Sequence, residues 1–162
     1  GIERVQEERR RAGDDDAAAD SANQRYTRQN QITPQNFEKL EVAWEWNGAS
    51  FGEVLARPIP VYVDGMLITV AGDRRYVVAI DAGTGETLWS FREPSTFRWE
   101  YSMRKNHGKG VAYANIGGRD VVYVVTPAFF LHALDAHTGQ PIEGFGGARS
   151  SGVMGAVFLH SG

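Results

Sequence analysis

The 162-residue sequence predicts an all-β chain built from two copies of one four-stranded antiparallel unit. Three observations carry this. A motif occurs twice, as VVAIDAGTGETLWSF over Val77–Phe91 and LHALDAHTGQPIEGF over Leu131–Phe145. The copies align without a gap at an offset of 54 residues (135 − 81), with Asp81 on Asp135, Thr84 on Thr138, Gly85 on Gly139 and Phe91 on Phe145. The register extends upstream, where the apolar run Leu67–Val70 falls on Val121–Val124. The 19 glycines cluster at turn positions such as Gly83, Gly85, Gly117-Gly118 and Gly139, as many short strands require. A period of this size marks a repeat whose single unit cannot bury its apolar face alone, and four-stranded antiparallel units at this spacing are β-propeller blades.

The elements follow in order. Residues 1–23 are a charged N-terminal arm, with four arginines between Arg4 and Arg11 ahead of Asp14-Asp15-Asp16. This reads as a solvated terminus, the alternative being a basic arm for an acidic partner. Residues 24–56 predict a short helix and a strand that closes the ring. The helix starts with Thr33 as cap and Pro34 at the first position, and ends near Leu40. Val42, Trp44 and Trp46 then alternate onto one face. Blade 1 occupies residues 57–93, with strands over Ile59–Val63, Met66–Ala71, Arg75–Asp81 and Thr87–Phe91. The Asp64-Gly65 pair between apolar runs is a hairpin signal. Residues 94–109 are an inter-blade loop. Blade 2 occupies residues 110–147, with strands over Gly110–Ala114, Val121–Thr126 and Phe130–Asp135, and a weaker one near Pro141–Phe145. Residues 148–162 form a divergent or truncated tail. Neither unit has a helical apolar period, which excludes a helical solenoid.

The repeated motif has a structural reading. A strand that ends at Asp81 or Asp135 must reverse, and the carboxylate can accept bonds from the amides ahead of it. Thr84 adds a hydroxyl and Gly85 a positive φ. Trp89 then returns on the outer strand and covers the neighbouring blade. In the second copy Leu88-Trp89 becomes Ile142-Glu143 behind Pro141. A proline belongs at an edge or first position, so that outer strand is short or absent. His132, in a strand, and His137, in a turn, read as structural or exposed.

Composition bounds the function. A net charge of −3 gives no electrostatic reason for a nucleic-acid partner. Zero cysteines exclude a disulfide framework and a thiolate metal site. No apolar stretch has the length of a membrane span, and no secretory signal is present, so either one was removed or the chain starts inside a longer product.

The ordered motifs resemble the pyrroloquinoline quinone (PQQ)-dependent dehydrogenases. The resemblance is carried by Gln24–Thr27 with Gln31–Thr33, Asn36–Leu40 with Val42–Trp44, Pro60–Gly65, Lys109–Tyr113 and the two Ala-x-Asp-Ala-x-Thr-Gly-type blade ends, over about residues 24–147. It implies an N-terminal fragment: two blades of an eight-bladed ring. It also implies a periplasmic enzyme that oxidises an alcohol or sugar, carries PQQ and calcium on the propeller axis, and passes electrons to a cytochrome or quinone. Lys109 matches a family arginine that contacts the quinone. Arg57 falls where many members carry a glutamate near the cofactor, and Glu53 lies four residues upstream as a substitute. Met103 and Arg104 replace the adjacent cysteines of some members, and Asn106 and His107 share their loop, with His107 a candidate to face the axis. The family's calcium ligands and catalytic aspartate have no match in this chain.

Three readings stay open. One is part of a PQQ-dependent dehydrogenase, inactive as the isolated fragment. Another is a non-enzymatic propeller scaffold with the same repeats. The third is a short chain that closes a ring by self-association, four copies of two blades. Under all of them the remaining blades, or further copies, must cover the open faces.

Overall fold

The computed structural model describes residues 30–53, 58–103 and 110–146, together with the backbone of 156–158. The chain divides into two compact units, residues 1–45 and 46–162.

In the first unit the expected helix is a single 3₁₀ turn over Phe37–Lys39. Its entrance is a reciprocal turn: the Asn36 side chain accepts from Thr33 N at 2.6 Å, while Thr33 O accepts from the amides of Asn36 and Phe37. Asn36 therefore occupies the N-cap position in place of Thr33, its side chain bonding back to Thr33 rather than to an amide of the turn. Phe37 is the one apolar residue of this turn and none of the three is buried, too little buried face to extend it. Residues 42–46 form no strand, and Val42 is 77% exposed. Alternation alone does not make a strand: a strand needs a ladder of backbone hydrogen bonds with a neighbour.

The second unit contains two four-stranded antiparallel sheets, each with neighbours in chain order. The first comprises β1 (Val61–Val63), β2 (Met66–Ala71), β3 (Tyr76–Asp81) and β4 (Thr87–Phe91). The second comprises β5 (Ala112–Ile116), β6 (Arg119–Val125), β7 (Phe130–Asp135) and β8 (Ala156–Phe158). Asp64 and Gly65 have φ of 42° and 84°, and Gly117 and Gly118 have 61° and 84°. Both two-residue hairpins therefore use the positive-φ pair that matches the right-handed strand twist. A one-residue irregularity in the β3–β4 ladder, opposite Ala79 and Ile80, leaves Leu88 turned outward and Trp89 opposite Ala79.

Two expectations change. The fourth strand of blade 2 is not Pro141–Phe145: Pro141 makes only an isolated bridge to Leu134, and Phe145 turns back to lie 5.7 Å from the Tyr123 ring. The fourth strand comes from Ala156–Phe158, which pairs with Phe130–His132. The supposed tail thus completes the blade. The repeat is also not uniform. Asp81 pairs with Met66, whereas Asp135 pairs with Val121, so β6 lies 55 residues after β2 (121 − 66) while the turn motif keeps 54. Leu67 is therefore equivalent to Val122, not to Val121. The slip decides which face Val122 presents, because side chains alternate along a strand.

The core is the seam between the sheets. Val61, Val63, Met66, Ile68, Val70, Val77 and Ala79 of the first pack against Val122, Val124, Leu134 and Ala136 of the second. Trp89, Phe91, Val111 and Tyr113 close its margins. One face of each blade is buried by its neighbour, as the repeat logic requires.

Candidate functional site

The two copies of the motif build the same turn. Asp81 Oδ1 accepts from the amides of Gly83 and Thr84 at 2.9 and 2.8 Å and from the Thr84 hydroxyl at 3.1 Å. Asp135 Oδ1 accepts from the amides of His137 and Thr138 and from the Thr138 hydroxyl, each at 3.1 Å. The backbone amides of Gly85 and Gly139 close the turns onto the carbonyls of Asp81 and Asp135. The amide of Thr84, then that of Gly83, holds the Asp81 carboxyl below the ordinary range. For Asp135, burial pushes upward and the bonds from Thr138, His137 and Arg119 outweigh it. Both carboxylates are engaged with their own turns, which makes them structural.

Trp89 joins the blades. Its indole N–H donates to Ala136 O at 3.1 Å, and its ring lies on Gly139, where a Cβ would overlap the ring. The expected cover of one blade by the previous tryptophan is present.

The ends of the seam differ. At the end where β1 and β5 begin, the residues that follow Arg57 and Lys109 meet. Gly110, with φ of 94°, lies so close to Ile59 that an added Cβ would stand 3.3 Å from Ile59 O. Arg57, His107 and Lys109 themselves lie outside the described residues, as do Arg104, Asn106 and His160. Glu53 is exposed, and Met103 is fully exposed.

A polar clamp holds this end and was not legible in the sequence. Glu93, 4% exposed, follows β4 and accepts from Ala128 N of blade 2 at 3.3 Å. Burial pushes its carboxyl upward, opposed by Thr126, Ala128 and Arg75. Arg75 crosses the seam to donate to Val125 O at 3.0 Å. Arg74 lies over the Trp99 ring at 4.0 Å, in the helix α1 (Phe97–Glu100) that opens the inter-blade segment and is capped by Thr96. Thr96 Oγ1 accepts from Trp99 N at 3.2 Å. Arg75 and Phe129, which stand at the same repeat position (129 − 75 = 54), both have positive φ, 52° and 63°. Nothing in the pattern Phe91-Arg92-Glu93-Pro94 marks Glu93 as buried, since its partners come from another blade.

The opposite end carries a second cluster. Asp120 accepts from the Tyr113 hydroxyl at 2.6 Å, Asn115 Nδ2 at 2.7 Å and His137 Nε2 at 3.1 Å. Asp64 of the blade 1 hairpin stands 4.0 Å from the same nitrogen. Burial pushes the Asp120 carboxyl upward, but the bonds from Tyr113, Asn115 and His137 outweigh it and keep it low. Burial first, then Asp120, pushes the Tyr113 hydroxyl up to about 12. Asp120 thus accepts three bonds on two oxygens, so the cluster is a hydrogen-bonded link between hairpins. His137 has a structural role, as its position in the turn implied. The hairpin register around Gly117-Gly118, which sets Asn115 opposite Asp120, was the one sequence signal for it.

Comparison with known proteins places this arrangement. The family model for the PQQ glucose/ethanol/alcohol dehydrogenase β-propeller domain matches residues 15–155. A quinohemoprotein alcohol dehydrogenase, ADH-IIG, of Pseudomonas putida is 34% identical over 123 residues, covering 72% of this chain and 16% of that protein. The solved quinohemoprotein alcohol dehydrogenase of Comamonas testosteroni superposes with a TM-score of 0.62 at 31% identity, over 78% of this chain and 18% of that one. The ADHIIG structure from Pseudomonas putida HK5 gives 0.63 at 29%, over 80% and 19%. A europium-containing methanol dehydrogenase, at 23% identity and a TM-score of 0.58, shares the fold. The chain therefore spans under a fifth of the length of these alcohol dehydrogenases, and within that span it belongs to the PQQ-dependent glucose/ethanol/alcohol dehydrogenase β-propeller family.

Proposed function

We propose that this chain supplies two neighbouring blades of a periplasmic PQQ-dependent dehydrogenase. That enzyme oxidises an alcohol or sugar and passes the electrons to a cytochrome or quinone. The observation that supports it is the contact of Ile59 with Gly110, which brings the residues just after 57 and 109 together at one end of the inner strands. The absence of a side chain at Gly110 is what lets the two inner strands begin this close. Lys109, Arg57 and His107 are the residues this reading assigns to that end as cofactor contacts. PQQ, when bound, would supply the two-electron acceptor for the alcohol carbon, with calcium as its companion ion and most of their ligands outside this chain. With PQQ bound, Lys109 would supply a positive charge for the negative charge that develops on a quinone oxygen. As an ammonium it offers a point charge without the planar fork of an arginine. The Glu93–Ala128 bond ties the chain just after β4 to blade 2, and the Arg75–Val125 bond ties the β2–β3 turn to it.

The test uses the whole protein that carries these blades, with PQQ and calcium supplied. Lys109→Ala should weaken PQQ binding about tenfold or more, the scale of a lost charge-assisted hydrogen bond, and Lys109→Arg should retain it. Equal PQQ affinity in the alanine variant would remove Lys109 from the site. The 162-residue chain alone should not reduce a dye with alcohol or sugar above a cofactor-only control. Turnover by the chain alone would contradict the assignment of the remaining machinery to other blades.

A further inference from the structure

We propose that His132 is an acid-sensitive wedge in the seam between the two blades, neutral when the sheets are packed and forcing them apart when it takes up a proton. Its side chain is 0% exposed, at the centre of β7 opposite Val124. Phe91 of blade 1 lies 5.1 Å from its ring, and Phe130 of its own strand lies 6.1 Å away. Among the described residues, neither ring nitrogen has a hydrogen-bond partner. At the equivalent position blade 1 carries Val78, so the fold itself needs only an apolar residue there (132 − 78 = 54). A buried imidazole without a partner is stable only uncharged, because a cation in this aromatic box would have neither water nor an anion.

The charged groups on the surrounding elements offer no relief. Glu93, after β4, accepts from Ala128, and Arg75, before β3, donates to Val125. Arg92 donates to the Tyr76 hydroxyl at 3.4 Å. Arg119 and Asp120 of β6 and Asp135 of β7 sit at the other end of the strands, tied to one another and to His137.

The sign follows from linkage. Burial pushes the His132 imidazole down to about 4 from an ordinary 6.5. The unfolded chain therefore binds the proton first as pH falls. The seam has its full stability above pH 6.5 and loses it progressively down to about pH 4. At pH 5 this one group lowers the folded-to-unfolded ratio about 30-fold relative to pH 8.

Denaturant unfolding of the chain from pH 8 to pH 5, with and without His132→Phe, tests this, together with the imidazole chemical shifts of the folded, unsubstituted chain. The expected result is that the variant loses the roughly 30-fold acid component, while the His132 resonances of the folded chain stay in the neutral position at pH 5. An identical acid dependence in both chains would overturn the proposal. So would a His132 imidazole that titrates near its ordinary value in the folded chain. If His132→Phe fails to fold, the imidazole titration decides alone.

Discussion

Trp89→Ala is expected to destabilise the chain by about 3 kcal/mol, at the lower end of the cost of truncating a buried tryptophan because the ring is only half-buried. The ring lies on Gly139, and its N–H donates to Ala136 O at 3.1 Å, so the variant loses packing and a hydrogen bond across the seam together. Gly139→Ala attacks the same contact from the other side. The glycine has φ of 69° and its Cβ would overlap the indole. The two substitutions should not add. Once the indole is absent, alanine at 139 retains only the left-handed backbone cost of about 1–2 kcal/mol. Denaturant unfolding of both single variants and the double variant measures this coupling. A double variant as unstable as the sum of the singles would mean that the ring and the glycine do not meet.

Gly72→Ala is expected to cost about 2–5 kcal/mol, combining left-handed strain with an overlap that side-chain motion cannot relieve. Gly72 has φ of 70°, and its Cβ would overlap the carbonyl of Phe51. Phe51 stacks on Trp46 at 5.8 Å and lies 5.2 Å from Tyr76, and Trp46 donates to the Thr87 hydroxyl at 2.9 Å. Residues 46–52 thus lie against the β2–β3 turn and the start of β4. A methyl group must displace this segment from the blade. The lost stability should be accompanied by a change in Trp46 fluorescence, whereas Gly65→Ala, with open space around its Cβ, should pay the strain without the fluorescence change.

The sequence reading succeeded where local chemistry decides. The Asp-x-x-Thr-Gly turns, the Asp64-Gly65 hairpin, the three inner strands of each blade and the role of Trp89 all follow from residues close together in the chain. It failed where a distant partner decides. Val42–Trp46 has the alternation of a strand and does not form one. Ala156–Phe158 is three residues long and becomes a strand only because the edge of β7 is open to it. The added residue that moves β6 by one position is invisible to an alignment anchored on the turn. Burial of His132 and Glu93 is set by Phe91 and Ala128 across the seam, residues no local pattern connects to them. Arg57, His107 and Lys109 came from resemblance to a family, which the match over residues 15–155 now establishes for the chain but not for those three contacts.

The stacking of the two sheets as adjacent blades is tested most directly by nuclear Overhauser contacts from the Trp89 indole. Cross-peaks to Ala136 and Gly139, with both Asp81 and Asp135 turns intact, are the predicted result. Intact turns and strands with no cross-peak from the indole to the second sheet would contradict it.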